Sequence, residues 1–326
     1  MAMHDSQPRS LALVLLIGLA GLALFPIFGA DEKFYMQFLA KIMVMAIFAM
    51  SLDLLIGYVG LVSLGHAMYF GLAGYTLMLL TPEYEGASLW ISLAAALGVC
   101  GLAALIVGLL VLRTSGIYFI MVTLAFAQMA YYVVHDSKYL GGSDGKYVYV
   151  KPVLSIFGWQ PFSLDRLAVF YYVILAVLVG VYFLLRLLLA SPFGHVLVGI
   201  KANEHRMRSL GFPTFRYKLV AFVIAGVLAG FAGYLAAALD GLVNPELLSW
   251  HQSGQALMMV ILGGMGTPAG AILGAGALKL LELLLTSWTK HWQLLLGLFI
   301  VLVVLVFPNG LASLFGKRKR GETEHG

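Results

Sequence analysis

The sequence contains little charge and almost no cysteine. Only 11% of its 326 residues are Asp, Glu, Lys or Arg, whereas soluble domains carry about 25%. Hydrophobic residues make up 61% of the chain and the mean hydropathy is +0.95, which excludes an ordinary soluble fold and predicts several membrane crossings. The single cysteine, Cys100, lies inside an apolar run, so neither an intramolecular disulfide nor a cysteine metal cluster can form.

Motifs for several kinds of chemistry are also absent. There is no GxxxxGK[ST] phosphate loop, so we do not expect the chain to hydrolyse ATP by that route. The sequence has no HExxH motif and no His, Cys and Asp spacing typical of a metal site. The net charge of +5 does not indicate a nucleic-acid partner, because the basic residues lie between apolar runs and at the C-terminus. We therefore expect no cofactor in this chain.

Ten apolar segments are assigned as crossings, which predicts an all-α polytopic membrane protein of about ten transmembrane helices. Two of them, 65–80 and 253–263, are short for a bilayer of about 30 Å. Residues 11–29 are predicted to be an uncleaved anchor, because cleavage after Ala30 would place the bulky Phe28 where a signal peptide needs a small residue. The segments are 11–29, 36–57, 65–80, 88–112, 115–134, 166–190, 217–240, 253–263, 268–287 and 291–307.

Basic residues set the predicted orientation. The stretch 191–218 carries five lysines and arginines against the single acid Glu204, and each charge would cost roughly 2.5–3.5 kcal/mol at the bilayer centre. This stretch must lie in water, and its basic excess places it on the cytoplasmic side. An even number of crossings then puts both termini in the cytoplasm. We predict one transmembrane domain over 1–316, an external loop at 135–165, and a basic then polar cytoplasmic tail at 317–326.

The centre of the cytoplasmic stretch is predicted to be a short helix. Residues 202–210 contain no Gly, Pro or β-branched residue. Gly211 follows as a C-cap, and Pro213 prevents the helix from continuing. In the external loop, the YVYV run at 147–150 predicts a short strand, and GGSDG at 141–145 fits either a tight turn or a backbone nest for a ligand.

Two glycine-rich breaks adjoin the short crossings, GYVGLVSLG at 57–65 and GGMGTPAG at 263–270. Unwound backbone at membrane depth is tolerated only where protein or a water-filled cavity satisfies it. The breaks therefore mark either tight packing or a translocation path, and the units 36–80 and 253–287 around them suggest a duplication. The candidate path residues are Asp53, Gly57, Gly60, Gly65, His66, Gly263, Gly264 and Gly266.

Polar side chains inside the crossings leave alternatives open. Asp53 either lines a pathway or makes a structural contact, with Lys41 on its own helix or with another helix. His66 is either a proton relay or ligand, or a buried histidine packed at a helix start. Lys41 and Lys279 are near span ends and can snorkel, and Glu282 is expected to pair with Lys279 three residues before it.

Five blocks of the sequence, together covering much of residues 36–315, resemble a known family. The blocks are SLDLLIGYVGLVSLGHAMYFGLAGY, RTSGIYFIMVTLAFAQMAYY followed by GGSDG, GIKANEHRMRSLGFPTFRYKLVAFVIAG, ILGGMGTPAGAILGA and LVFPNGLASLF. They resemble the LivM-type branch of the permease subunits of bacterial branched-chain amino-acid ABC transporters. The resemblance implies a multi-pass inner-membrane permease domain that forms a pore with a second, LivH-like permease. Two ATP-binding subunits, which bind ATP and Mg, would drive it, and a periplasmic substrate-binding protein would deliver the substrate.

The same resemblance implies that residues 191–216 form the loop through which the ATPase subunits act. Asn203-Glu204-His205 stands where such permeases have Glu-Ala-Ala, and Gly211 keeps the family's glycine. Alternatives are a urea or short-amide permease of the same architecture, and a self-sufficient secondary transporter, which the absence of a ladder of membrane acids weakens. An intramembrane enzyme would need a convergent acid–base or metal set, which the sequence does not show. The implied coupling residues are Lys201, Ala202, Asn203, Glu204, His205, Arg208 and Gly211.

Overall fold

The computed structural model describes residues 9–28, 32–82, 86–153, 166–307 and 310–315, and this part of the chain is mostly α-helical. The predicted tail at 317–326 and the predicted external residues 154–165 lie outside the described residues. The helices are α1 (Arg9–Phe28), α2 (Lys33–Asp53), α3 (Ala67–Leu80), α4 (Leu89–Val111), α5 (Ile117–His135), α6 (Leu167–Ala190), α7 (Pro192–Ala202), α8 (Glu204–Ser209), α9 (Thr214–Asp240), α10 (Trp250–Gly263), α11 (Pro268–Trp288) and α12 (Trp292–Val306).

Each predicted crossing coincides with a helix of the described chain. Six helices among the described residues are long and apolar enough to cross a membrane: α2 with its extension to Val59, α4, α5, α6, α9 and α11. Shorter apolar stretches occur in α1, α3 and α12. The fold is therefore an all-α, multi-pass membrane architecture, as the composition predicts.

The core is built around α2 and α9. Helix α2 is buried on all sides over most of its length, and it contacts α6, α9, α10 and α11. Helix α9 contacts α2, α3 and α4, and small residues on it allow the close approach. A Cβ on Gly226 would lie 2.7 Å from Cβ of Ala104, and one on Gly230 would lie 2.5 Å from Sγ of Cys100. Packing through small residues is what membrane helices use in the absence of a hydrophobic driving force.

Two interruptions of helical backbone confirm the predicted breaks. After Asp53, α2 continues as a π-helical turn over Leu54–Val59, and Gly60 then takes a φ of +82°, which favours glycine because it has no Cβ. The chain stays non-helical until α3 begins at Ala67. The second break separates α10 from α11, where the Thr267 hydroxyl accepts a hydrogen bond from the Gly270 N–H to cap α11.

A two-stranded sheet lies at the C-terminal end of α9. Strand β2 (Leu242–Val243) follows this helix and pairs antiparallel with β1 (Lys146–Tyr147). The predicted strand at 147–150 is thus only two residues long and begins one residue earlier. The GGSDG segment forms a tight turn, with a short 3₁₀ helix at Gly142–Asp144, and the space beside Gly145 is filled by Val243 and Asn244.

The stretch 191–218, which is predicted to be cytoplasmic, is more helical than the sequence predicted. Two helices, α7 and α8, replace the predicted loop with its single helix over 202–210. The missed signal is Ser191-Pro192, because proline is favoured at the first position of a helix. The helices part at Asn203, whose backbone is extended and whose Oδ1 accepts the Arg206 N–H at 2.9 Å. Gly211, at φ +86°, follows α8 as predicted.

Gly233 provides a test of the packing on α9. A Cβ at this position would meet the backbone carbonyl of Phe70 on α3, which cannot rotate away as a side chain can. We expect Gly233→Ala to destabilise the folded protein by about 1–3 kcal/mol, seen as a lower thermal unfolding temperature in detergent. The matched control is Gly180→Ala, because nothing lies within 4 Å of a Cβ on Gly180 in α6. Equal unfolding temperatures for the two variants would contradict the packing.

Candidate functional site

The candidate coupling segment and the first break are in direct contact. Lys201, near the end of α7, donates from Nζ to the carbonyl oxygen of Gly57 at 2.6 Å, across 144 residues of sequence. The aliphatic part of the same side chain lies along Gly60, where a Cβ would be 3.2 Å from Cγ of Lys201. Helix α7 also packs against the π-helical turn that contains Gly57. The structure thus joins residues from the two candidate sets that the sequence analysis kept separate.

The second break reaches the same place. The Oδ1 atom of Asp53 accepts a hydrogen bond from the Gly266 N–H at 2.8 Å. A Cβ on Gly57 would lie 2.6 Å from the Gly266 backbone nitrogen and 2.6 Å from Asp53 Oδ1, so only glycine fits. We call Asp53, Gly57, Lys201 and Gly266 the junction.

Asp53 is only 1% exposed, so its charge requires partners. The Gly266 N–H is a donor that the second break has freed from helical bonding, and it bonds to Oδ1 of Asp53. Lys201 reaches the neighbouring Gly57 carbonyl from the side of α7. The predicted alternative of a pair with Lys41 is wrong, since Lys41 pairs with Asp240 at 3.1 Å. Asp53 instead makes its contact outside its own helix, with Gly266 in the break between α10 and α11.

Hydroxyl groups satisfy the non-helical backbone between α2 and α3. The Leu64 N–H donates to Thr123 Oγ1 of α5 at 3.3 Å, and the Ala67 N–H donates to Ser253 Oγ of α10 at 2.8 Å. Gly65 lies against the carbonyl of Thr123, which leaves no room for a side chain. This is how unwound backbone is tolerated at membrane depth.

His66 supports this stretch by packing. Its ring is buried and stacks on Phe48 with centroids 5.6 Å apart, and Nε2 lies 2.9 Å from Ser51 Oγ. Within the described chain no group of His, Cys, Asp and Glu side chains is arranged to bind a metal ion. The geometry favours the interpretation of His66 as a buried histidine at a helix start.

The remaining glycines of the second break form its tight turn. Gly263 faces the carbonyl of Gly270, and Gly264 is packed closely against Gly310. On α11, Lys279 pairs with Glu282 at 2.8 Å, which confirms the predicted spacing of three residues.

A second network fixes α8 to the start of α9. Glu204 Oε1 accepts hydrogen bonds from Arg208 at 2.6 Å and from the Thr214 hydroxyl at 3.0 Å, and it lies 2.9 Å from Nζ of Lys218. Partial burial alone would raise the pKa of Glu204, but the hydrogen bonds from Lys218, Arg208 and Thr214 outweigh it and lower the pKa below its ordinary value.

Some side chains in and beside α7 and α8 anchor these helices, and others are exposed. Glu204 and Lys218 are anchors, and Lys218 is 8% exposed although the sequence suggested only a charge in water. The predicted coupling residues that stay exposed are Lys201, Ala202, Asn203, His205, Arg208 and Gly211. Sequence reasoning missed Lys218 and Thr214 because their contact with Glu204 depends on the turn between α8 and α9.

Comparison with known proteins places the chain among transport proteins. Residues 34–306 match the family model described as branched-chain amino acid transport system / permease component. The chain is 33% identical over 288 residues to the high-affinity branched-chain amino acid transport system permease protein LivM of Salmonella typhimurium, covering 82% of this chain and 68% of the relative. LivM of Escherichia coli K12 is 32% identical over the same shares.

A partial match connects the chain to a second type of permease. The permease protein LivH of the high-affinity branched-chain amino acid transport system of Escherichia coli K12 is 31% identical over 113 residues, which is 34% of this chain and 36% of LivH. No solved structure gives a significant match.

The Glu204 network predicts a pH dependence. Since the folded protein lowers the pKa of Glu204, its contribution to the docking of α8 is fully present above the ordinary glutamate pKa of about 4.3. That contribution is lost as the pH falls through the lowered value. Hydrogen exchange of the α8 amides, after correction for intrinsic rates, should therefore increase on acidification.

We expect Glu204→Gln to raise α8 exchange already at neutral pH and to abolish most of its pH dependence, since glutamine does not ionise. The control is Glu32→Gln, which alters an exposed acid before α2 and should leave α8 exchange unchanged. An α8 that exchanges alike in wild type and Glu204→Gln at neutral pH would show that the network does not fix this helix.

Proposed function

Because the chain belongs to the family of branched-chain amino acid transport system permease components, we propose that it is the membrane-spanning subunit through which an ABC importer moves branched-chain amino acids across the bacterial inner membrane. It is a transport subunit and not an enzyme. The relatives named LivM support branched-chain amino acids over urea or a short amide as the substrate.

The proposed assembly contains two different permeases. Family members named LivM and LivH both resemble this chain, which supports a pore formed with a LivH-like second permease. Two ATP-binding subunits, which bind ATP and Mg, drive transport, and a periplasmic substrate-binding protein delivers the amino acid. The chain itself contributes no cofactor.

We propose that all ten helices matching predicted crossings lie in the membrane, with both termini cytoplasmic. The short helix α3 begins at the first break, where its Ala67 N–H donates to the Ser253 hydroxyl of α10. The short helix α10 ends at the second break. The stretch with α7 and α8 carries the basic excess and lies on the cytoplasmic face. Strands β1 and β2, at the other end of α9, lie on the external face.

The observation that carries the mechanism is the hydrogen bond from Lys201 to the Gly57 carbonyl. The exposed residues Ala202, Asn203, His205, Arg208 and Gly211 form the surface on which an ATPase subunit docks. Its closure on ATP moves α7 and α8 together, because α7 runs into α8 and the Glu204 network fixes α8 to α9. Through the junction that movement reaches both breaks, so ATP binding favours one access state over the other.

The function is tested by reconstitution into proteoliposomes. The complete complex with its ATPase, second permease and binding protein is expected to accumulate labelled leucine in the presence of ATP, and not urea. The chain alone should give no solute flux, because the energy source resides in the partner subunits. Leucine flux through the chain alone would identify a self-sufficient transporter, and ATP-dependent uptake of urea instead of leucine would overturn the substrate.

The Lys201 contact predicts an uncoupled variant. Lys201→Met keeps the aliphatic packing on Gly60 but removes the donor to Gly57, so α7 loses its hold on the first break. We expect leucine uptake to fall about tenfold, within the range of typical coupling free energies, while ATP hydrolysis by the assembled complex stays within about twofold. Arg216→Met is the matched control, since it removes an exposed cation at the start of α9. Normal uptake by Lys201→Met would reject the junction as the coupling route.

A further inference from the structure

A polar cavity opens on the proposed external side, far along α2 from the junction. It has an outer part of about 410 Å³ and an inner part of about 150 Å³. The two parts share Lys41, Asp240, Leu247, Gln252 and Gln255, so they lie side by side. The outer part alone has a volume in the range of small-molecule sites, about 300–1,000 Å³.

Charges of both signs line this cavity. Lys41 of α2 and Asp240 of α9 meet at 3.1 Å, with side chains 45% and 31% exposed. The pair is therefore reached by water, and a ligand can insert between its members without the large cost of separating a buried pair. Deeper in, Lys279 contacts Gln255 at 3.5 Å and Glu282 at 2.8 Å.

Helix ends add to this separation of charge. Asp240 is the last residue of α9, where the helix dipole is negative and an acid is not a stabilising choice for the helix itself. Ser249, which also lines the outer part, precedes the first residue of α10. The dipole there is positive and favours an anion. One wall of the cavity thus suits an ammonium group and another suits a carboxylate.

The inner part supplies a surface for an apolar side chain. Aliphatic and aromatic side chains line it beside the charged pair, among them Val44, Met45, Phe70 and Leu239. A zwitterion with a branched aliphatic side chain matches both parts, whereas urea carries no charges to pair with Lys41 and Asp240 and no aliphatic group for the apolar wall.

We propose that this cavity is the entry site where the permease receives the amino acid, with Asp240 binding its ammonium group, Lys41 its carboxylate and the inner wall its aliphatic side chain. This inference rests on the proposed function and adds the site and the chemical groups that the permease recognises. Lys41 and Asp240 are then specificity-determining residues, and their mutual pair is the resting state of an empty site.

Binding is tested on the assembled complex by protection of an introduced thiol. His251→Cys places a reactive group at the exposed mouth of the cavity, and the unmodified chain serves as the blank because Cys100 is buried. In the absence of the binding protein, leucine is expected to slow labelling by a membrane-impermeant thiol reagent several-fold. Leucinol, which lacks the carboxylate, and 4-methylpentanoate, which lacks the amine, should not. Equal labelling in all conditions would overturn the proposal.

Transport by charge variants provides the second readout. Lys41→Met and Asp240→Asn should each lower leucine uptake about tenfold, the value of one charged hydrogen bond, while ATP hydrolysis stimulated by the binding protein stays within about twofold. Lys138→Met, an exposed external lysine outside the cavity, should transport normally. Unchanged uptake in both cavity variants would overturn the site and leave the permease function intact.

The exchanged pair Lys41→Asp with Asp240→Lys separates recognition from structure. If the two charges served only to tie α2 to α9, the exchange would restore uptake, and that result would reject the proposal. We expect uptake to stay low, because the restored pair presents its charges in the opposite order to the substrate. If the exchanged chain does not assemble, thiol protection of His251→Cys by leucine decides the question.

Discussion

The contact between two interruptions of helical backbone is the constraint on which this structure depends. Breaking a helix inside a membrane frees N–H and C=O groups that lipid cannot satisfy. Here the freed Gly266 N–H donates to the Asp53 side chain, and the Lys201 ammonium group donates to the Gly57 carbonyl. The breaks are stable because they satisfy each other and Lys201 of α7 completes them. Helices α2, α10 and α11 must therefore pack together where their regular hydrogen bonding stops.

Local features of the sequence predicted much of this arrangement. Glycine runs located both breaks, and Gly211 marked the end of α8, because backbone freedom is a property of single residues. The contact between the breaks joins residues 213 positions apart, and no local pattern encodes it. For the same reason the partner of Lys41 was missed, since Asp240 lies on a different helix. Helix α7 was missed although Ser191-Pro192 was available as a start signal.

The two faces of the molecule show different uses of charge. On the side of α7 and α8, charged side chains bond to one another and to backbone, which holds these short helices in place. On the opposite side, Lys41 and Asp240 meet in an open cavity and keep contact with water. Fixed charges suit the transmission of movement, and accessible charges suit the exchange of partners with a solute. Helix α2 connects the two, with Lys41 towards one end and Asp53 at the other.

The acceptor for Lys201 is the main-chain carbonyl of Gly57. Mutation can therefore remove the donor of this hydrogen bond but not its acceptor. A substitution at position 201 removes the donor, but no codon change at position 57 removes the oxygen, because every amino acid carries one. Side chains at 57 act only by pushing the breaks apart, since the space is already filled by Gly266 and Asp53. A screen for defective alleles would therefore find donor-loss mutants at the lysine and only disruptive ones at the glycine, and compensating alleles would accumulate on the lysine's side of the contact.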